Sequence, residues 1–258
     1  MPRFAANLSL LFTERPLLDR FAAARDAGFP AVEMQFPYAE PAQALAARRA
    51  EAGLPLVLHN LPPGDWAAGE RGIACLPDRV ADFREGVARA IDYAGVLGCR
   101  QINCLAGLAP PDVERARLQA VLIENLAYVA DALGRAGIRL LIEPINGRDM
   151  PGFLLNRLAD AASVIEAVNS ENLFIQADLY HMARMGEDPA TELAAHRARI
   201  AHVQIADAPG RHEPGTGAID FAAAFETLDR LGYDGFIGCE YLPAAGTEAG
   251  LGWMAAYR

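Results

Sequence analysis

Three carboxylates stand inside apolar runs of this sequence. Glu143 lies in Leu140-Leu-Ile-Glu-Pro144, Asp178 in Phe174-Ile-Gln-Ala-Asp-Leu179 and Glu240 in Ile237-Gly-Cys-Glu-Tyr241. An ionised carboxylate in a buried strand is strongly disfavoured unless it is paired or bound to a metal. Gln204, in His202-Val-Gln-Ile205, adds an amide carbonyl to the set. Together the four offer hard oxygen ligands, which suit Mg2+ or Mn2+ better than zinc. Any one of these carboxylates alone can equally be a helix N-cap or a salt-bridge partner. The recurrence of three carboxylates and one amide at four successive strand ends favours a shared site.

The elements that would position them are legible as an alternation. Short apolar runs are expected as strands at Phe4–Leu10, Ala31–Phe36, Leu56–His59, Gln101–Leu105, Arg139–Glu143, Leu173–Asp178, His202–Ala206 and Phe236–Tyr241. Amphipathic, Ala-rich stretches between them are expected as helices, the last at Thr247–Tyr257. Eight β–α units without a Pro/Gly/Ser-rich linker imply one closed (β/α)8 TIM barrel spanning residues 1–258 as a single domain. A doubly wound open sheet would want a glycine-rich loop after the first strand, and Asn7–Glu14 has none. In a barrel, chemistry sits at the C-terminal strand ends. That places Glu143, Asp178, Gln204 and Glu240 on consecutive strands five to eight. Pro144 biases Glu143 to an extended backbone, as a strand end requires.

Candidate substrate contacts surround this set. His59 ends the third strand and His181 follows Asp178 by three residues; each could instead simply pack. His202 shares a strand face with Gln204, as a supporting or barrel-layer residue. His196, beside Arg197, reads as a solvated face. Two long loops stand beside the same mouth. Pro62–Pro77 carries Trp66, Glu70 and Arg71 and has the length of a lid. Asp207–Gly217 carries Arg211, whose fork matches a carboxylate; the alternative is that Arg211 merely pairs with Asp207 or Glu213.

Composition narrows the chemistry. The chain has no lysine, so all 23 basic residues are arginines. Schiff-base aldolases and pyridoxal-phosphate enzymes, which need a lysine amine, are excluded. A net charge of −10 argues against nucleic-acid and membrane partners. The four cysteines form no C-x-x-C pair, so neither a disulfide nor a zinc–thiolate site is expected. No apolar run is long enough for a membrane span, and the N-terminus lacks the basic region and cleavage site of a signal peptide; a cytoplasmic location is expected. A homo-oligomer is compatible with all of this.

Longer runs carry a family resemblance. They are Phe4-Ala-Ala-Asn-Leu-Ser9, His59-Asn-Leu-Pro62, Gly64-Asp-Trp-Ala-Ala-Gly-Glu-Arg-Gly-Ile-Ala-Cys-Leu-Pro77, Ile142-Glu-Pro-Ile-Asn146, Asp178-Leu-Tyr-His-Met182, His202-Val-Gln-Ile-Ala-Asp207, Glu213-Pro-Gly-Thr-Gly217 and Gly238-Cys-Glu-Tyr241. On these the chain resembles the hydroxypyruvate isomerase family of the xylose-isomerase-like barrels, from first strand to last helix. The resemblance implies a divalent metal at Glu143, Asp178, Gln204 and Glu240, with Glu143 and Glu240 as acid/base pair. It implies interconversion of hydroxypyruvate and tartronate semialdehyde through an enediolate. The ketose 3-epimerase branch is similar but has histidine where Gln204 stands, and it places a substrate-binding histidine and arginine where His181 and Arg211 stand. The N-terminal run also resembles the 2-oxo-tetronate isomerases, which leaves that four-carbon acid as the alternative substrate. The expected substrate contacts are thus His59, Glu70, His181 and Arg211, on a short 2-oxo or hydroxy acid. A metal-dependent endonuclease barrel and a non-catalytic sugar-acid binder are the rival classes. The first would want more histidines than five and a basic face, and the second has no need of two buried glutamates.

Overall fold

Parallel strands buried on both sides need continuous apolar runs, and helices between them need one apolar stripe. The computed structural model, which describes residues 1–257, shows both. Eight parallel strands run β1 (Phe4–Asn7), β2 (Ala31–Glu33), β3 (His59–Asn60), β4 (Gln101–Cys104), β5 (Arg139–Ile142), β6 (Leu173–Asp178), β7 (Ile200–Ile205) and β8 (Ile237–Cys239). Their order is β2-β1-β8-β7-β6-β5-β4-β3. The ring closes between its ends: Val32 N–H donates to Pro55 O (3.0 Å), Val57 to Val32 O (2.9 Å) and Asn60 to Gln35 O (2.8 Å). The single-domain TIM barrel expected from the sequence is the fold.

The outer layer is α1 (Leu17–Asp26), α2 (Ala42–Ala52), α3 (Val80–Leu97), α4 (Arg115–Arg135), α5 (Leu158–Val168), α6 (Leu179–Arg184), α7 (Pro189–His196) and α8 (Phe221–Arg230). In α3, Phe83, Val87, Ala90, Ala94 and Leu97 form the buried stripe at helical spacing. Each large apolar side chain so buried stabilises the fold by about 1.5–3 kcal/mol. The helix stops at Gly98, whose left-handed φ of 64° suits a residue without Cβ.

Several expectations about elements need correction. Thr247–Tyr257 is not an α-helix; Glu248–Tyr257 winds as a 3-10 helix, its Trp253 and Tyr257 rings packed edge-on against Phe4. The β6 strand leads straight into a short helix, α6, that the periodicity did not announce. Asp178 makes it: its Oδ1 accepts from Tyr180 N–H (2.8 Å) as N-cap. The first strand is also shorter than Phe4–Leu10, because Leu10 and Leu11 N–H turn back onto Asn7 O.

The barrel interior is unusually polar. On β6 and β7, Gln176 pairs in register with His202 and Asp178 with Gln204, all buried. Glu33 of β2, with no exposed surface, joins them: His202 Nε2 lies 2.7 Å from its Oε2, while Gln204 Nε2 (2.7 Å) and Asn7 Nδ2 (3.0 Å) donate to its Oε1. Hydrogen bonding offsets the desolvation that such a layer would otherwise cost.

Candidate active site

The C-terminal strand ends bring Glu143, Asp178, His181, Arg211 and Glu240 together. Glu143 follows β5 and is 4% exposed; its Oε2 accepts from Asn103 Nδ2 of β4 at 2.9 Å. Glu240 follows β8, also 4% exposed, and is fully engaged. Its Oε1 accepts from Asn7 Nδ2 (3.1 Å) and Gln35 Nε2 (3.0 Å), and its Oε2 from an Arg211 Nη2–H (2.9 Å). Asp178 uses one oxygen for the α6 cap; the other, Oδ2, is buried with no hydrogen-bond partner. His181, one turn into α6, places Nε2 3.6 Å from that oxygen and 3.7 Å from Glu143 Oε1.

Electrostatics follow from this crowding. Burial pushes the Glu143 carboxyl well above the usual carboxylate range, and the charges of Glu240 and Asp178 push it the same way. Burial likewise raises Asp178 and Glu240, each opposed by Arg211. His181 is held well below the ordinary imidazole range by burial and then by Arg211, so it is neutral. Burial would lower the Arg211 guanidinium, but the charges of Glu240, Asp178 and Glu143 outweigh it and keep the side chain charged.

Arg211 reaches the site because its loop is built elsewhere. Asp207, 1% exposed, receives four backbone N–H groups: Ala208 (2.9 Å) and Ile219 (3.1 Å) on Oδ1, Gly215 (2.9 Å) and Gly217 (2.8 Å) on Oδ2. Glu213 accepts from Ala244 N–H. Neither carboxylate pairs with Arg211, contrary to the alternative considered above. Arg211 instead takes a left-handed φ of 57° and turns its fork onto Glu240, with Nε left buried and unpartnered.

Other expected residues stand further off. His59 opens β3 rather than ending it, with Nδ1 3.1 Å from Asn60 O and Nε2 buried without a partner; burial holds its pKa down to about 4. Gln204 lies in register beside Asp178, its Oε1 accepting from Gln176 Nε2 (2.6 Å) and its amide bonded to Glu33. Glu70 turns back into its own loop, accepting from Asp65 N–H and pairing with Arg79, and makes no contact with the cluster. The loop itself is half anchored. Ile73, Ala74 and Cys75 are buried, and Cβ-free Gly72 lies against Leu105 O. Its tip is exposed, with Trp66 packed on Phe36 and under Arg71.

Sequence reading missed Glu33, Asn7, Gln35 and Asn146. Glu33, in Ala31-Val-Glu-Met34, carries the same signal as Glu143, a carboxylate in an apolar run. The three amides carry no such signal, because a neutral amide is unremarkable in any segment.

The donor set fits a divalent ion. Glu143, Asp178 and His181 offer ligand atoms all within 4.8 Å of one another. Asp178 Oδ2 is an orphaned buried acceptor, and three buried carboxylates face one guanidinium. A cation there would supply the missing positive charge.

Fold and site together define a (β/α)8 barrel with paired buried glutamates at its C-terminal mouth. The chain belongs to the xylose isomerase-like TIM barrel family, whose model matches residues 21–257. It is 52% identical to a 2-oxo-tetronate isomerase of Cupriavidus necator over 257 residues, covering 100% of this chain and 99% of the relative. It is 48% identical to the hydroxypyruvate isomerase of Escherichia coli over 258 residues, covering 100% of both chains. Among solved structures it superposes with a TM-score of 0.97 on a Brucella melitensis protein described as an AP endonuclease of family 2, at 43% identity and with 100% of both chains covered.

Proposed function

We propose that this isomerase interconverts hydroxypyruvate and tartronate semialdehyde, with Glu143 and Glu240 moving the proton. The observation that carries the reading is the pair of buried glutamates at the ends of β5 and β8, one of them gripped by Arg211. One glutamate removes a proton from the hydroxymethyl carbon, leaving an enediolate over that carbon and the former carbonyl carbon. The other returns a proton to the former carbonyl carbon. A proton moves between the two oxygens, so the formula is unchanged. Asn103 orients Glu143, while Asn7 and Gln35 orient Glu240. Arg211, with its unpartnered Nε, supplies positive charge for the substrate carboxylate. His181 faces the reacting oxygens.

Glu143, Asp178 and Glu240 are the residues that would hold Mg2+ or Mn2+, with Gln204 joining if its carbonyl leaves Gln176. Such an ion, when bound, stabilises negative charge on the enediolate oxygens. Two substrates of one class are favoured by named relatives: hydroxypyruvate and the four-carbon 2-oxo-tetronate. The chemistry is the same for both. The endonuclease reading suggested by the Brucella protein's description finds little support in a chain of net charge −10 whose cluster contains one histidine. An NMR time course of purified protein with each acid, with and without chelator, tests the proposal. Conversion of hydroxypyruvate that chelator abolishes is expected; no conversion of either acid would overturn the reading.

A further inference from the structure

His181 Nε2 points between Glu143 and Asp178, and what it can do there depends on whether it carries a hydrogen or a lone pair. The other ring nitrogen decides. Nδ1 lies 2.7 Å from Asn146 Nδ2, and an amide nitrogen can only donate. Nor is the Asn146 amide free to turn over. Its Oδ1 already accepts from the backbone N–H of Arg148 (3.1 Å) and Asp149 (2.9 Å), and its second amide hydrogen goes to Asp149 Oδ2 (3.0 Å). A flip would set oxygen against carboxylate and NH2 against two N–H groups. Asp149 is fixed in turn by Tyr180 Oη (2.5 Å) and Arg184 Nη2 (3.0 Å), both from α6, the helix that carries His181. Asn146 has no exposed surface, so water does not compete.

We propose that Asn146, held by Asp149, is a positioning residue that locks neutral His181 in its Nε2–H tautomer. His181 is thereby a hydrogen-bond donor to the reacting oxygens of the substrate and not a ligand of the metal, although its nitrogen lies within reach of the same ion as Glu143 and Asp178. Asn146 follows Glu143 by three residues, so one short loop after β5 sets both the glutamate and the histidine's proton. The inference deepens the isomerase reading and rests on it for the role of the donor, but the tautomer itself is measurable without turnover.

The test is 15N NMR of ring-labelled histidine in the protein as purified and again with Mg2+, with the His181 signals assigned by their loss in His181→Gln. The wild type is expected to show Nε2 protonated and Nδ1 bare in both samples. The double substitution Asn146→Asp/Asp149→Asn reverses the polarity of the pair: the carboxylate introduced at position 146 accepts from Nδ1–H, so the tautomer switches and kcat falls about 10–100-fold, the usual cost of losing an orienting partner. Asn146→Leu, close in size but without a donor, should give a mixture of the two tautomers. A wild-type ring protonated on Nδ1, or an unchanged tautomer in both variants, overturns the lock. Absence of isomerisation with the expected tautomers intact would instead count against the isomerase reading alone.

Discussion

Arg211 is where loop conformation and chemistry meet. Its guanidinium donates to Glu240 and lies over the Tyr180 ring, 5.2 Å from the centroid. Lysine at this position would keep the charge but lose the fork that spans Glu240 and an incoming carboxylate. Arg211→Lys should therefore lower kcat/KM for hydroxypyruvate by about 1–3 kcal/mol, and lower it less for a neutral analogue such as glyceraldehyde. Equal losses on the two substrates would mean that Arg211 acts through Glu240 alone. The single residues of the site were unequally visible in the sequence. Glu143, Asp178 and Glu240 announce themselves because burying a carboxylate is costly. Arg211 stands beside Glu240, as its loop position suggested, yet that partner was not readable, since it depends on Asp207 absorbing four backbone amides. Asn7, Gln35 and Asn146 were invisible, because an amide has no such penalty to betray it.

At the scale of elements, the eight strands and most helices were legible from hydrophobic period alone, and their ends were not. The α6 helix exists because Asp178 caps it, a local hydrogen bond that no periodicity encodes. It matters, because α6 swings His181, Tyr180 and Arg184 around the loop after β5. The Pro62–Pro77 loop divides into a buried half and an exposed tip bearing Trp66, which is 42% exposed. Only the tip can close without breaking core contacts. In a Trp253→Phe background, saturating substrate or an enediolate analogue should change the emission of Trp66, as closure packs the tip over the mouth. An unchanged spectrum at saturation would leave the loop as a fixed wall of the site.

At the scale of the whole molecule, the barrel stacks two polar layers on one another: a hydrogen-bonded one around Glu33 and, above it, the carboxylate cluster. The upper layer gathers three buried carboxyl groups around the one guanidinium of Arg211. Mg2+ or Mn2+ should accordingly raise the melting temperature as well as restore activity after chelation, and Asp178→Asn should blunt both effects. Full activity in exhaustively stripped enzyme would refute the metal's role. His59 gives an independent pH signature. Burial lowers its pKa from 6.5 to about 4, so between those values the unfolded chain binds a proton that the folded chain does not. Its contribution to stability is therefore lost as pH falls through that window, by up to about 3 kcal/mol near pH 4. Denaturation curves for His59→Gln should lack this part of the acid slope; identical slopes in the two proteins would show that His59 takes up its proton while folded. Among the described residues no helix is long and apolar enough to cross a membrane.

The central claim is that two glutamates pass the proton. It is tested most directly by solvent exchange in D2O, following deuterium entry at the carbons of hydroxypyruvate and tartronate semialdehyde by NMR. Wild-type protein should place deuterium on the carbon that receives the proton. Glu143→Gln and Glu240→Gln, with fold confirmed, should each slow net conversion, and exchange at the carbon that the lost glutamate serves, by at least about 10²-fold, because each removes one proton carrier while keeping its size. Near-normal exchange and conversion in folded Glu240→Gln would contradict the account.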